Sequence, residues 1–407
     1  MRNTMLTAAL LATAVPAAAQ TEISVFHAWP HHAEWQQRLA DDFMAANPDV
    51  TIRMLAPSTD YDEGLVSVIR QDMAGTAPDL FLVGSHLLAE VAARDLAPPM
   101  DDLLDGRDMD ALGYSDAALA LTQVDGVQVG LPWTSSTPVM FYNAELVRQA
   151  GGDPAAMPTT WDEAIALGKA IEALGDDIEG FYYPPGDDDW MVQNLLATAN
   201  LAPLSDGTIA FDTPEGRDAL ALFERFHDEA GQEAIPNSAA RQMMYAGKLG
   251  LYFNSTAAVR SFAREIEDRF EWGTAPMPRL TEDGGVASGG MAAVILTDDP
   301  EKRQAAMEYV LYGTGAEGQA TIVQATGYMP VNDGAEALLA DFYSDNPAWR
   351  TSATQMDRSL PWFAWPGQNG IRISQEVVDT ITAVANDRLD TAGAAERLTS
   401  EIGALLP

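Results

Sequence analysis

A chain of 407 residues, 47 % of them hydrophobic, is long enough for two or three domains with sizeable buried cores. Sixty acidic residues against 23 basic ones give a net charge of −37, a surface that repels nucleic acid and anionic lipid heads. There is no cysteine, which excludes disulfides, a thiol nucleophile, a Cys-ligated metal and a lipid anchor on an N-terminal cysteine.

The first stretch reads as an export signal. One basic residue (Arg2), an apolar run from Met5 to Val15 and small residues Ala17 and Ala19 predict a signal peptide over residues 1–19. The run is short of the roughly 20 residues a membrane span needs. We therefore expect a protein exported to the periplasm, with no membrane insertion.

Strand and helix then alternate. Ile23–Trp29 reads as a buried strand, and His31–Ala46 as a helix with Trp35, Leu39 and Phe43 on one face. Asn47-Pro48 stops it, because proline cannot continue a helix. Val50–Leu55, Tyr61–Ala74, Asp79–Val83 and His86–Ala93 continue as strand, helix, strand and short helix. This order predicts a mostly parallel sheet covered by helices.

Gln123–Gly130 is a hairpin with Asp125-Gly126 at its turn. Leu131–Asn143, LPWTSSTPVMFYN, follows it. Pro132 and Pro138 hold the chain extended, Ser135, Ser136 and Thr137 offer hydroxyls, and Trp133 offers a flat apolar face. The stretch reads either as an interdomain hinge lining a cleft or as a surface loop before the strand Val139–Tyr142.

Beyond it the same grammar resumes. Thr160-x-x-Glu163 is a capping box opening a helix, Gly180–Tyr183 a strand, Trp190–Leu201 a helix, and Thr213-Pro214 another helix start. Leu249–Phe253 is a strand and a helix follows from about Thr256. Thr281–Gly290 reads as a flexible glycine-rich passage before the strand Met291–Leu296. Helices follow at about Pro300–Tyr312 and Ala316–Gln324, then a helical tail from Asp333 interrupted at Leu360–Gly370.

Enzyme signatures are poor. His31-His32 stand side by side with no metal-binding frame around them. Asp187–Asp189 is either an acidic loop or a cation site that lacks the usual ligand spacing. Gly313-x-Gly315-x-x-Gly318 follows a helix where a dinucleotide fingerprint requires a strand, so it reads as a break between helices. No nucleophile elbow or phosphate-binding loop is present. No cofactor and no metal are expected. What remains is a set of aromatics and hydroxyls at element ends: Trp29, Tyr61, Ser85, Trp133, Ser136, Trp190, Ser255, Tyr328, Trp362 and Trp365. Such groups either pack in cores or, in a cleft, stack on sugar C–H faces and bind sugar oxygens.

Pro132 followed by SSTPVMFYN, Gly327–Val331 (GYMPV), and the tail from Phe342-Tyr343 through Asn346-Pro347 to Gly370-Ile371-Arg372 give the chain a family likeness. It resembles the bacterial extracellular solute-binding proteins of ABC importers, the maltose-binding-like group, and within it the glycerol-3-phosphate-binding branch. The resemblance implies a two-lobe α/β fold of the Venus flytrap kind, each lobe a mostly parallel sheet flanked by helices. It also implies roles. Tyr61 would contact ligand from the first lobe, Ser136 and Ser255 would offer hydroxyls, Gly290 a backbone N–H, Tyr328 a phenol, Trp190 an aromatic wall and Arg372 a cation. Arg372 also reads as a surface arginine among carboxylates. Ser85, beside His86, stands where that branch has an acidic residue.

We therefore expect a monomeric periplasmic binding protein, not an enzyme, that closes on a glycerol phosphate, a glycerophosphodiester or a sugar and delivers it to the ABC permease. Residues 20–134 with 286–330 would form one lobe, and 135–285 with 331–407 the other. The alternative is an exported carbohydrate-active enzyme with a carboxylate pair in the cleft.

Overall fold

The computed structural model describes residues 20–186 and 188–407; the expected signal peptide and Asp187 lie outside them. Two β-sheets organise the chain. In the first, the strands run in the order Ser359–Pro361, Val286–Ile295, Leu80–Gly84, Thr21–His27 and Val50–Met54, and Leu131–Ser136 also pairs with Val286–Ile295. The second has the order Trp272–Pro276, Pro138–Asn143, Leu249–Ser255 and Glu179–Tyr182.

Alternation along the strands feeds a core on each face, as a sheet covered on both sides requires. Leu80 and Leu82 enter one apolar cluster with Leu39 and Phe43 of the helix Ala33–Ala46, while Phe81 and Val83 enter another with Leu65 and Val91. In the second sheet Met140 and Phe181 face one core, and Phe141 and Tyr182 the other. The helix Trp161–Glu172 opens with both bonds of the expected capping box. Thr213 caps Pro214–Asp228 through the N–H of Gly216.

Both sheets are mixed. Thr21–His27 pairs in parallel with its two neighbours, but Val286–Ile295 runs against Leu80–Gly84 and against Leu131–Ser136. In the second sheet Pro138–Asn143 is antiparallel to both neighbours, and only Leu249–Ser255 and Glu179–Tyr182 are parallel. Parallel order belongs to strand–helix–strand units. The strands that break it flank the two crossings between sheets, where no crossover helix sets direction.

The glycine-rich reading of Thr281–Gly290 needs correcting. Val286–Gly290 is the buried first half of the strand Val286–Ile295. Its glycines are there for close approach: a Cβ on Gly290 (φ 137°) would stand 2.0 Å from the Thr134 carbonyl oxygen, and one on Gly289 3.0 Å from the Trp190 ring. The break at Leu360–Gly370 likewise begins in an edge strand, Ser359–Pro361, parallel to Val286–Ser288.

Candidate ligand-binding cleft

A single residue, Thr137, separates a strand of the first sheet, Leu131–Ser136, from the first strand of the second, Pro138–Asn143. Its N–H donates to Ser352 Oγ (3.0 Å), and Gln355 Nε2 donates to its Oγ1 (2.7 Å). Register gathers residues at this point. Ser136 lies opposite Gly289, Ser135 opposite Gly290, and Pro138 opposite Ser255. Met329 N–H donates to the Ser135 carbonyl (2.8 Å), which brings Tyr328 alongside. Ser135 Oγ and Thr256 Oγ1 are buried here without hydrogen-bond partners among the described residues. A buried orphan hydroxyl is costly, and in a cleft it marks a place for a polar ligand atom.

Around this point stands a wall of rings. Tyr61 is the first residue of the helix Tyr61–Met73, set there by Asp60, whose carboxylate accepts from Glu63 N–H. It packs against three of the apolar clusters, at the junction of both sheets' cores. Trp29, held at φ 66°, meets it edge-on with centroids 5.6 Å apart. Burial raises the Tyr61 phenol well above its ordinary value, the adjacent Tyr328 adds to the rise, and Tyr328 itself is pushed up to about 12. Both phenols stay neutral donors at any physiological pH.

The opposite wall comes from the second sheet's side. Trp362 stacks on His86 with centroids 3.6 Å apart and planes 19° apart, and lies 6.3 Å from Tyr61 and 6.0 Å from Trp190. Trp190 donates its indole N–H to the Ala287 carbonyl (3.1 Å). Trp362 donates to Asp189 Oδ1 (3.2 Å), and Asp189 Oδ2 accepts from Gln193 Nε2 (2.9 Å), Trp365 Nε1 (3.1 Å) and Ser374 Oγ (2.9 Å). Asp189, buried and answered by four donors, ties the helix Trp190–Thr198 to the tail helix Gly370–Val384. That is its part in the Asp187–Asp189 run. Among the described residues no group of three or more His, Asp or Glu is placed to hold a metal ion, and no helix is long and apolar enough to cross a membrane.

The structure thus brings Tyr61, Tyr328, Trp190 and Ser85 to the cleft, with Ser136 and Gly290 at its base. Ser255 reaches the same crossing, but its hydroxyl caps the turn Thr256–Ala258 by accepting from Ala257 N–H (3.1 Å). Arg372 is the third residue of the helix Gly370–Val384 and is exposed. Trp133 lies elsewhere: it is fully buried in the first sheet's core, 5.5 Å from Tyr309 and against Gly313. Alternation turns its side chain to the helical layer. His31 stands at the rim near Arg241, and burial with that positive charge lowers its pKa; His32, deeper, is held well below the ordinary value by burial. His86 escaped the sequence reading as a wall residue, since nothing in sequence signals a stack with a partner 276 positions away. Next to Ser85 and Trp362 a cavity of about 650 Å³ opens between the two sides.

The family profile of the bacterial extracellular solute-binding proteins matches residues 38–351. The chain belongs to that family. A putative binding protein of Brucella abortus is 25 % identical over 317 residues, covering 75 % of this chain and 74 % of the relative. The sn-glycerol-3-phosphate-binding periplasmic protein UgpB of Escherichia coli is 24 % identical over 379 residues, covering 87 % and 83 %. Among solved structures, UgpB of Mycobacterium tuberculosis in complex with glycerophosphocholine superposes with a TM-score of 0.82 at 20 % identity, over 95 % of this chain and 98 % of that one. The cyclic alpha-maltosyl-1,6-maltose binding protein of Arthrobacter globiformis gives 0.75 at 24 %, over 95 % and 99 %. The two-lobe α/β fold and the role of solute-binding component of an ABC importer, expected from the sequence, stand with these findings. The solute-binding family is one of binding proteins, not enzymes, and the alternative of a carbohydrate-active enzyme finds no support.

Proposed function

We propose that this solute-binding protein works in the periplasm as a monomer, exported through residues 1–19, and hands its ligand to an ABC permease. We divide its lobes as residues 20–134 with 286–330, and 135–285 with 331–407, with Ser135, Ser136 and the edge strand Ser359–Pro361 reaching across into the first sheet. The ligand is of the glycerol-phosphate type, a glycerol phosphate or a glycerophosphodiester. The observation behind this reading is the cleft itself: rings from both sides (Tyr61 and His86 against Trp190 and Trp362) over a base of hydroxyls and glycine backbone at the crossing. A ligand touching both walls favours the closed arrangement over the open one, which is what hinge closure requires. Ser136, Gly290, Tyr328 and Arg372 would hold the phosphate, and Tyr61, Ser85 and Trp190 the remainder.

A second reading, a neutral sugar, is favoured by the ring-rich wall of Tyr61, His86, Trp190 and Trp362, which suits sugar C–H faces. Calorimetric titration of refolded, ligand-stripped protein with sn-glycerol-3-phosphate and with maltose separates the two. Binding of the phosphate, weakened tenfold or more in Arg372→Ala, supports the first reading. Binding of maltose alone refutes it and establishes the second.

A further inference from the structure

Trp362 divides the space between the lobes. On one side stand Tyr61, Trp190 and the hydroxyls of the crossing. On the other lies the cavity of about 650 Å³, walled by Leu88, Ala92, Leu121, Ala197, Leu201 and Pro203. Four side chains with polar groups line it, Ser85, Gln123, Asp125 and Gln193, and the two amides are already engaged. Gln193 donates to Asp189 (2.9 Å) and accepts from Phe363 N–H (3.0 Å), and Gln123 donates to Gln128 (3.1 Å). A sugar ring here would find Ser85 and Asp125 for only a few of its hydroxyls, whereas a hydrocarbon group would pack against the apolar walls that make up most of the lining. Small residues, Ala89 and Ala92 on one side and Ala197 on the other, keep the volume open. The cavity adjoins the polar half: Ser85 and Trp362 line it and also line a second, much smaller space beside Thr134, Ser135 and Gly289.

We propose that the cavity receives an apolar substituent, an acyl chain or an aryl group, joined to the polar head held on the other side of Trp362. The transported solute is then amphiphilic, a product of partial lipid or glycoside breakdown. The inference rests on the reading of the cleft as the ligand site.

The test compares sn-glycerol-3-phosphate with its 1-hexanoyl ester, and maltose with p-nitrophenyl α-maltoside, by calorimetry on the full protein. N-phenyl-1-naphthylamine serves as an apolar probe with no head. Each buried methylene multiplies affinity about fourfold, so the substituted member of the pair that binds should bind at least tenfold tighter than its parent. Ala89→Phe, which fills the cavity from a half-buried position, should cancel that gain and leave the parent's affinity within about twofold. Ala120→Phe, at an exposed position of the same lining, replaces it if Ala89→Phe melts early. Substituted and parent ligands binding equally would overturn the proposal. If neither parent binds, the head assignment has failed, and the probe decides for the cavity. Enhanced fluorescence in the wild type that is lost in Ala89→Phe upholds it, and no enhancement overturns it.

Discussion

Asp189 offers the sharpest test of how the cleft wall is held. Its Oδ2 accepts from three donors and its Oδ1 from the Trp362 indole, all in a buried setting. In Asp189→Asn the amide oxygen takes the position facing three donors, so the NH₂ must meet the Trp362 N–H, donor against donor. One charge-assisted bond is lost outright and three become neutral, for a cost of about 1–3 kcal/mol. Asp189→Ala strands four buried donors and should cost about 3–5 kcal/mol, less than a sum because neighbours relax together. Trp362→Phe removes a single donor and the ring overlap with His86, for about 1–2 kcal/mol. Urea unfolding at pH 7, followed by circular dichroism, should rank the variants Ala, then Asn, then Phe. The loosened Trp362 ring should also weaken ligand binding in Asp189→Asn. A variant Asp189→Asn within about 0.5 kcal/mol of wild type, with affinity intact, would refute the argument that this carboxylate positions the wall.

Burial beside Glu172 and Glu233 pushes the Glu179 carboxyl up to about 7. The folded state therefore holds a proton that the unfolded chain has released, and stability falls as pH rises from the ordinary carboxylate range to about 7. Glu179→Gln, which keeps the acceptor for Glu233 N–H, should stabilise at pH 8 and do little at pH 4; equal effects at both would refute the assignment. Gly290→Ala forces a side chain into left-handed backbone and into the Thr134 carbonyl, and should cost more than about 3 kcal/mol in chemical unfolding. Trp133→Phe leaves a cavity in the first core and should cost about 1–3 kcal/mol while ligand affinity, by calorimetry, stays unchanged. At net charge −37, association of an anionic ligand should speed up with added salt in stopped-flow fluorescence, whereas a neutral sugar's should not.

Local patterns were legible because their causes are local. Capping at Thr160 and Thr213, the helix face of Trp35, Leu39 and Phe43, and the turn at Asp125-Gly126 depend on neighbours within a few residues. The helix break at Gly315 was readable for the same reason. The ASGG segment was not. Glycine weakens a strand in isolation, and only the partner strands, with Thr134 and Trp190 pressed against Gly290 and Gly289, show why glycine is required. Mixed strand direction was equally hidden, because it follows from where the chain crosses between sheets, and a crossing carries no periodicity of its own.

The candidate site divides along the same line. Tyr61 and Trp190 could be named because each opens a helix, and an element end is where a side chain can point into a cleft. Trp133 shows the limit of that rule: its proline-flanked stretch does cross between sheets, yet strand alternation turns Trp133 inward while Ser136 reaches the crossing. His86 and Asp189 act only through partners far along the chain, His86 through Trp362 and Asp189 through Trp362, Trp365 and Ser374. Their roles exist only once the tail from Ser359 has folded back against the first sheet. The tail is thus not an appendage to two finished lobes. It supplies an edge strand to one sheet, a wall of the cleft and the lining of the apolar cavity, so ligand selectivity and the folding of the last fifty residues are one problem in this protein.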